Sequence, residues 1–387
     1  MTEMVYGVHR APGEDPVLPR WWRTVDQVTL SAILILFGIG VLLGLAASPP
    51  LAVRNGLDEP FFYVERQLVF GAVALSAMFL VSMMNPDSVR RWGVFGFFVF
   101  FAAVAMLPIL GTDFDKGATR WYSLGFGSLQ PSEFLKPCFV VITAWLMAAS
   151  DEINGPPGKA MSLAIALVIV AFLIKQPDFG QAALIIFAWC VLFFIAGARI
   201  SWLVGLAALV VVGGFLAYNG SEHFARRIDG FLAVDIDPNT QIGYATNAIR
   251  EGGILGVGVG EGQVKWSLPD AHTDFIIAVA AEEYGLMLVL LIIALILVVT
   301  VLSLFRLMRE RDTFIRLAGT GLVSLFAVQA FINMAVAVRL LPAKGMTLPF
   351  VSYGGSSLLA GGIAIGMLLA FTRTRPQGEI SDHFRGR

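Results

Sequence analysis

The stretch VTLSAILILFGIGVLLGLAAS, from Val28 to Ser48, decides the kind of protein this is. It carries no charged residue, and about 20 apolar residues is what an α-helix needs to cross a bilayer core about 30 Å thick. Working outward, runs of the same character recur at 67–84, 92–110, 134–150, 161–174, 179–196, 200–218, 284–305, 314–337 and 353–372. The fifth and sixth runs are short and are separated by Lys175-Gln176-Pro177-Asp178. They read either as two spans or as one broken or re-entrant pair. The chain is 57% hydrophobic and 14% charged, against roughly 25% charged in soluble domains. The expected fold is therefore an all-α polytopic membrane protein with about ten transmembrane helices.

The polar, proline-bearing segment 1–27 lacks the short apolar core of a secretory signal. It is expected to be a cytoplasmic N-terminal segment, followed by one membrane domain over 28–372 and a basic cytoplasmic tail over 373–387. Cys138 and Cys190 both lie in apolar runs and suggest neither a disulfide framework nor a metal spacing. A net charge of −1 says nothing about nucleic acid; no basic stripe is present, and no nucleic-acid partner is expected. With the N-terminus inside, the inner segments hold 15 Lys and Arg and the outer ones 11, four of them in one long loop. Long loops count little in this rule, so both termini are placed in the cytoplasm. Of the acidic residues, 17 of 28 fall outside.

That long loop, Asn219 to Asp274, is the one large polar insertion and is placed on the outer face. Its stretch Gly256-Val257-Gly258-Val259-Gly260-Glu261-Gly262 has no βαβ surroundings for a dinucleotide fingerprint and reads as a flexible segment. It ends in Pro269-Asp270-Ala271-His272-Thr273-Asp274-Phe275. Asp274 directly precedes a helical pattern, so it reads as a helix N-cap or as a general base at the membrane boundary.

Ionisable groups at membrane depth are costly and mark functional sites. Glu133 and Lys136, in Gln130-Pro131-Ser132-Glu133-Phe134-Leu135-Lys136-Pro137, share one helix face. They form either a structural pair or the wall of an outward cavity, which a kink at Pro137 would help to open. Arg120, in Lys116-Gly117-Ala118-Thr119-Arg120-Trp121, and Arg66, in Glu65-Arg66-Gln67, are interface anchors or phosphate ligands. Asp178 is a helix N-cap or a site residue. Between the last two runs, Pro342-Ala343-Lys344-Gly345-Met346-Thr347-Leu348-Pro349 leads through Ser352 to Gly354-Gly355-Ser356-Ser357. Those backbone N–H groups at a helix start suit an anion or tight packing. Gly362 and Gly366 read as packing positions.

In order and spacing, these segments together resemble the SEDS family (shape, elongation, division and sporulation proteins), over nearly the whole chain. The Pro342 to Pro349 segment resembles its cell-division branch (FtsW type) more than its elongation branch (RodA type). Two positions depart from the family pattern: Ile277 replaces the usual Phe, and Arg339 stands where many members have a small residue. The resemblance implies a peptidoglycan glycosyltransferase that polymerises lipid II, a disaccharide-pentapeptide on undecaprenyl diphosphate, at the outer face of the bacterial inner membrane. It implies a class B penicillin-binding protein transpeptidase and other divisome proteins as partners, at the division septum. By position, Asp274 matches the family's catalytic acid, and Arg66, Glu133, Lys136 and Asp178 match its cavity residues. Arg120, Lys344, Ser352 and Ser356 complete the expected substrate-binding set.

On this reading Asp274 takes the proton of the acceptor's GlcNAc 4-hydroxyl, which attacks C1 of the donor's MurNAc with inversion. Arg120, Arg66, Lys136 or a divalent cation (Mg or Mn) stabilises the departing diphosphate. No other cofactor is expected. The rivals are a lipid II flippase, whose polar path would run through the membrane's depth, an elongation-type polymerase, and a divisome scaffold without chemistry.

Overall fold

The computed structural model describes residues 17–112, 119–125, 127–220, 222–232, 240–342 and 345–374. Thirteen helices are described: α1 (Val17–Thr24), α2 (Gln27–Arg54), α3 (Phe62–Ser82), α4 (Pro86–Leu110), α5 (Pro131–Ala149), α6 (Gly158–Lys175), α7 (Phe179–Ile195), α8 (Ile200–Gly220), α9 (Glu222–Leu232), α10 (Gln241–Gly252), α11 (Ile276–Leu307), α12 (Thr313–Ala337) and α13 (Gly355–Thr372). The strands β1 (Tyr122–Ser123) and β2 (Ser128–Leu129) form a small antiparallel hairpin. Among the described residues, eight helices are long and apolar enough to span a bilayer: α2 to α6 and α11 to α13. The apolar α7, with 17 residues, and the 21-residue α8 coincide with the other two runs of the sequence. The all-α polytopic fold is thus realised, and Lys175 to Asp178 separates two distinct helices. Cys138 and Cys190 are free thiols.

Successive spanning helices run up and down, so the chain gathers two sets of connections at opposite ends. At one end, Asp26 caps α2 and pairs with Arg306 at 2.8 Å. Beside it Arg373 donates to Thr24 Oγ1 and to the Met83 carbonyl. The other end carries the hairpin, the connector between α6 and α7, and the segments that precede α11 and α13. Between the ends the helices meet through apolar side chains. α3 and α13 pack closely because Gly362 and Gly366 admit a neighbouring backbone. A Cβ at these positions would stand 2.4 Å from the Ala74 carbonyl oxygen and 2.8 Å from that of Met78. Small residues serve such approaches in membranes, where apolar burial alone does not drive helices together.

Over its described residues, the long insertion between α8 and α11 is more ordered than its glycine content suggests. It contains α9, α10 and a single 3₁₀ turn at Val264–Trp266. Gly256 to Gly262 is docked on α11: Val257 and Gly258 donate their N–H groups to the Glu282 and Glu283 carbonyls. A Cβ on Gly256 would lie 2.1 Å from the Glu283 oxygen, and one on Gly262 2.8 Å from the Glu282 carboxyl carbon. Gly256 and Gly262 therefore permit close approach to α11, which corrects the reading of the stretch as flexible. Glu282 accepts the Val264 and Lys265 N–H groups, and Lys265 pairs with the buried Glu283. Immediately after this clamp, α11 breaks at Gly285 (φ 74°). Arg339 also has a left-handed backbone, φ 59°, which Gly or Asn adopts at less cost. Its guanidinium donates to the Phe231 carbonyl at 3.1 Å, linking the end of α12 to α9.

Candidate active site

Pro131 opens α5 at a position where its missing N–H is no loss. The helix brings Glu133 and Lys136 together one turn apart, at 2.9 Å, with 8% and 3% of their side chains exposed. Charges this buried need further partners. Gln181 of α7 donates to Glu133 Oε1, and Gln329 of α12 accepts from Lys136 Nζ at 3.0 Å. The pair thus sits in an amide-lined junction of three helices.

Arg120, beyond the end of α4, reaches the connector between α6 and α7. Its Nε and Nη2 donate to the carbonyls of Gln176 and Pro177 at 3.1 and 2.6 Å. Those contacts hold the turn that presents Asp178. Asp178 is buried, caps α7 through the Gln181 N–H, and accepts from Gln130 Nε2 at 3.4 Å. Burial raises its pKa, an effect that Arg120 partly offsets. Its capping and its place in the cluster hold together.

Asp274 is half-buried. It is not the cap of α11: that position is Phe275, with no side-chain cap bond. The Asp274 carboxylate faces the backbone of Gly345 (φ 57°), where an added Cβ would lie 3.5 Å from Oδ2. Its segment is fastened through three successive carbonyls. His272 O accepts from the Tyr353 N–H at 2.9 Å, Thr273 O from Ser352 Oγ at 2.5 Å, and Asp274 O from Asn333 Nδ2 at 2.9 Å. Tyr63, His272 and Tyr353 form a ring cluster with centroids 5.4 to 5.6 Å apart. Arg66 lies over the Phe62 ring at 4.5 Å and bonds the Tyr353 phenol, whose pKa burial raises and Arg66 lowers.

The segment before α13 is irregular backbone, tolerated at membrane depth only where its polar groups find partners. Asn333 donates also to Met346 O at 2.6 Å, Gln329 to Thr347 O at 3.3 Å and Gln67 to Val351 O at 3.3 Å. Ser352 is 1% exposed, and its hydroxyl accepts from Leu348 N–H while donating to Thr273 O. Ser356 accepts from Gln130 N–H and donates to Ser128 O, joining α13 to the hairpin. Both serines therefore serve the frame around the site. Lys344 lies outside the described residues, as do Lys116, Gly117 and Ala118.

The structure thus gathers Arg66, Arg120, Glu133, Lys136, Asp178, Ser352, Ser356 and Asp274 at one end of the bundle. The amides Gln67, Gln181, Gln329 and Asn333 stand outside the set expected from sequence, which holds charged residues and the two serines. Their signal was a polar residue inside an apolar run, and Gln329 and Asn333 recur at helical spacing. Among the described residues no group of three or more His, Cys, Asp or Glu is placed to hold an ion.

A multi-spanning membrane protein with an acid and buried cations at one end of its bundle is the class that this fold and site define. The sequence model of the FtsW/RodA/SpoVE family, described as cell cycle protein, matches residues 27–377. The chain is 42% identical over 359 residues to the probable peptidoglycan glycosyltransferase FtsW of Caulobacter vibrioides, covering 92% of this chain and 91% of that one. It is 32% identical over 356 residues to stage V sporulation protein E of Bacillus subtilis, covering 90% and 97%. Its fold is similar to a chain of a peptidoglycan synthase complex that coordinates polymerization and crosslinking (TM-score 0.74, 24% identity, 91% and 99% covered). It is also similar to the rod shape determining protein RodA of Thermus thermophilus (TM-score 0.68, 22% identity, 92% and 99% covered). The chain belongs to the SEDS family, the FtsW/RodA/SpoVE cell cycle proteins, and to its FtsW type.

Proposed function

We propose that this chain is a peptidoglycan glycosyltransferase of cell division, polymerising lipid II at the outer face of the inner membrane. The observation that carries the reading is the placement of Asp274. Its carboxylate stands at the same end of the bundle as the buried Glu133–Lys136 pair, with Arg66 and Arg120 on neighbouring elements. Family membership and the names of the relatives support it.

In the proposed reaction, Asp274 takes the proton of the acceptor's GlcNAc 4-hydroxyl as that oxygen attacks C1 of the donor's MurNAc. The C1–oxygen bond to the diphosphate breaks, and the undecaprenyl diphosphate leaves with the electron pair. Attack from the opposite face inverts C1. Lys136 or one of the arginines stabilises the negative charge on the leaving oxygen. A class B penicillin-binding protein is the proposed partner, in line with the synthase complex among the structural neighbours; other divisome proteins follow from the division branch. The Lys and Arg balance supports cytoplasmic termini, and the division branch supports placement at the septum. A flippase fits less well, because its path needs polar groups through the whole depth. Here the ionisable clusters lie at the two ends, with apolar packing between.

The test is polymerisation of purified lipid II by the reconstituted chain with its partner transpeptidase, read as glycan on a gel. Asp274→Asn is expected to lower the rate by about 10²- to 10⁴-fold, the usual contribution of a general base, with an unchanged melting temperature. Near-normal glycan from that variant would remove Asp274 as the base.

A further inference from the structure

We propose that Asn333 is a positioning residue for the Asp274 base, acting on its backbone rather than on substrate; this rests on the polymerase reading above. Asn333 lies on α12, 1% exposed, inside an apolar run. Its Nδ2 donates to Asp274 O at 2.9 Å and to Met346 O at 2.6 Å. Both partners are carbonyls, which only accept, so the amide's orientation is fixed by its neighbours. One side chain thereby ties three separate segments: a spanning helix, the irregular segment before α13, and the end of the outer insertion.

The Asp274 carbonyl needs this help. Asp274 precedes α11, whose capping position lacks a side-chain cap bond. Thr273 and His272, just upstream, are held by Ser352 and Tyr353 of that same irregular segment. The Asp274 N–H bonds Asp270 O within its own turn, and Asn333 is the side chain that ties the Asp274 carbonyl to a spanning helix. Removing the amide takes the tie to α12 from both carbonyls together, and the turn that carries the base can shift while the rest of the pocket keeps its contacts. Lys136, Glu133 and Asp178 are bonded through other side chains. Substrate binding should therefore survive where proton removal fails.

The experiment compares wild type, Asn333→Ala, Asn333→Ser and Asp274→Asn in proteoliposomes with the partner transpeptidase, measuring kcat and KM for lipid II and the melting temperature. A displacement of about 1 Å at a reacting group can cost about 10²-fold in rate. The expected result for Asn333→Ala is a kcat lowered by about that factor, KM within threefold of wild type and a folded protein. Asn333→Ser, which keeps one donor and leaves a smaller void, should recover part of kcat and carries the test if the alanine variant does not fold. Wild-type kcat in either folded variant overturns the inference, as does a raised KM with unchanged kcat. So does a rate loss matched by loss of folded protein in both. Failure of wild type itself to make glycan would instead overturn the polymerase reading, and so would full activity of Asp274→Asn.

Discussion

Lys136 and Glu133 form a buried ion pair within one turn of α5, at 2.9 Å, and each also holds an amide from another helix. Such a pair contributes little net stability when intact, yet losing one member is costly.

Lys136→Met should therefore destabilise the protein by about 3–5 kcal/mol, because Glu133 is left charged and buried. Glu133→Gln combined with Lys136→Met should restore most of the melting temperature and leave glycan synthesis absent. Thermal melts in detergent and lipid II assays on the same preparations check both statements. Recovery of activity in the double variant would show that the pair is structural alone.

Asp178 supplies a pH dependence. Its carboxyl titrates above the ordinary aspartate value, chiefly because it is buried. The folded state therefore holds the proton more tightly than the unfolded chain does. This contribution to stability is complete below the ordinary aspartate value, about 3.9, and is lost as pH rises through the folded value. Asp178→Asn keeps a capping oxygen and removes the titration. The difference in melting temperature, variant minus wild type, should rise from acid to neutral pH. A difference that is flat between pH 4 and 8 would contradict it.

Gly285 is the third test. Its φ of 74° is left-handed, and an added Cβ would stand 2.3 Å from the Ile254 carbonyl oxygen. Gly285→Ala should cost at least the 1–3 kcal/mol or so of a strained residue, with the close contact added. The change should loosen the clamp of Gly256 to Lys265 on Glu282 and Glu283, read as faster proteolysis of the insertion between α8 and α11. Unchanged melting and proteolysis would refute this.

The spans were legible because bilayer thickness sets a length that any reader of composition can measure. α2 and α12 begin one residue before the runs that announced them and α4 six before, since polar and proline residues such as Gln27 and Pro86 fit helix starts. The ionisable members of the site were legible for a similar reason: a charge in an apolar run is conspicuous. Asn333 and Gln67 were not, because a neutral amide hides among packing residues, and only its distance to a carbonyl reveals its use. The glycines from Gly256 to Gly262 misled. Composition does not distinguish a glycine that bends freely from one that admits the Glu283 backbone.

Gln329 and Asn333 are four residues apart on the same helix, a rise of about 6 Å. The first touches Lys136, and the second holds the Asp274 carbonyl. α12 is thus a ruler set between Asp274, the proposed base, and the buried cation. A partner protein that pushed this helix along its axis would shift both marks at once and leave their spacing unchanged. To change the gap, and so to switch the proposed reaction, it would have to move α5 or the insertion between α8 and α11 against the ruler. Regulation of this protein is therefore expected to act from the flanks of α12 and not along it.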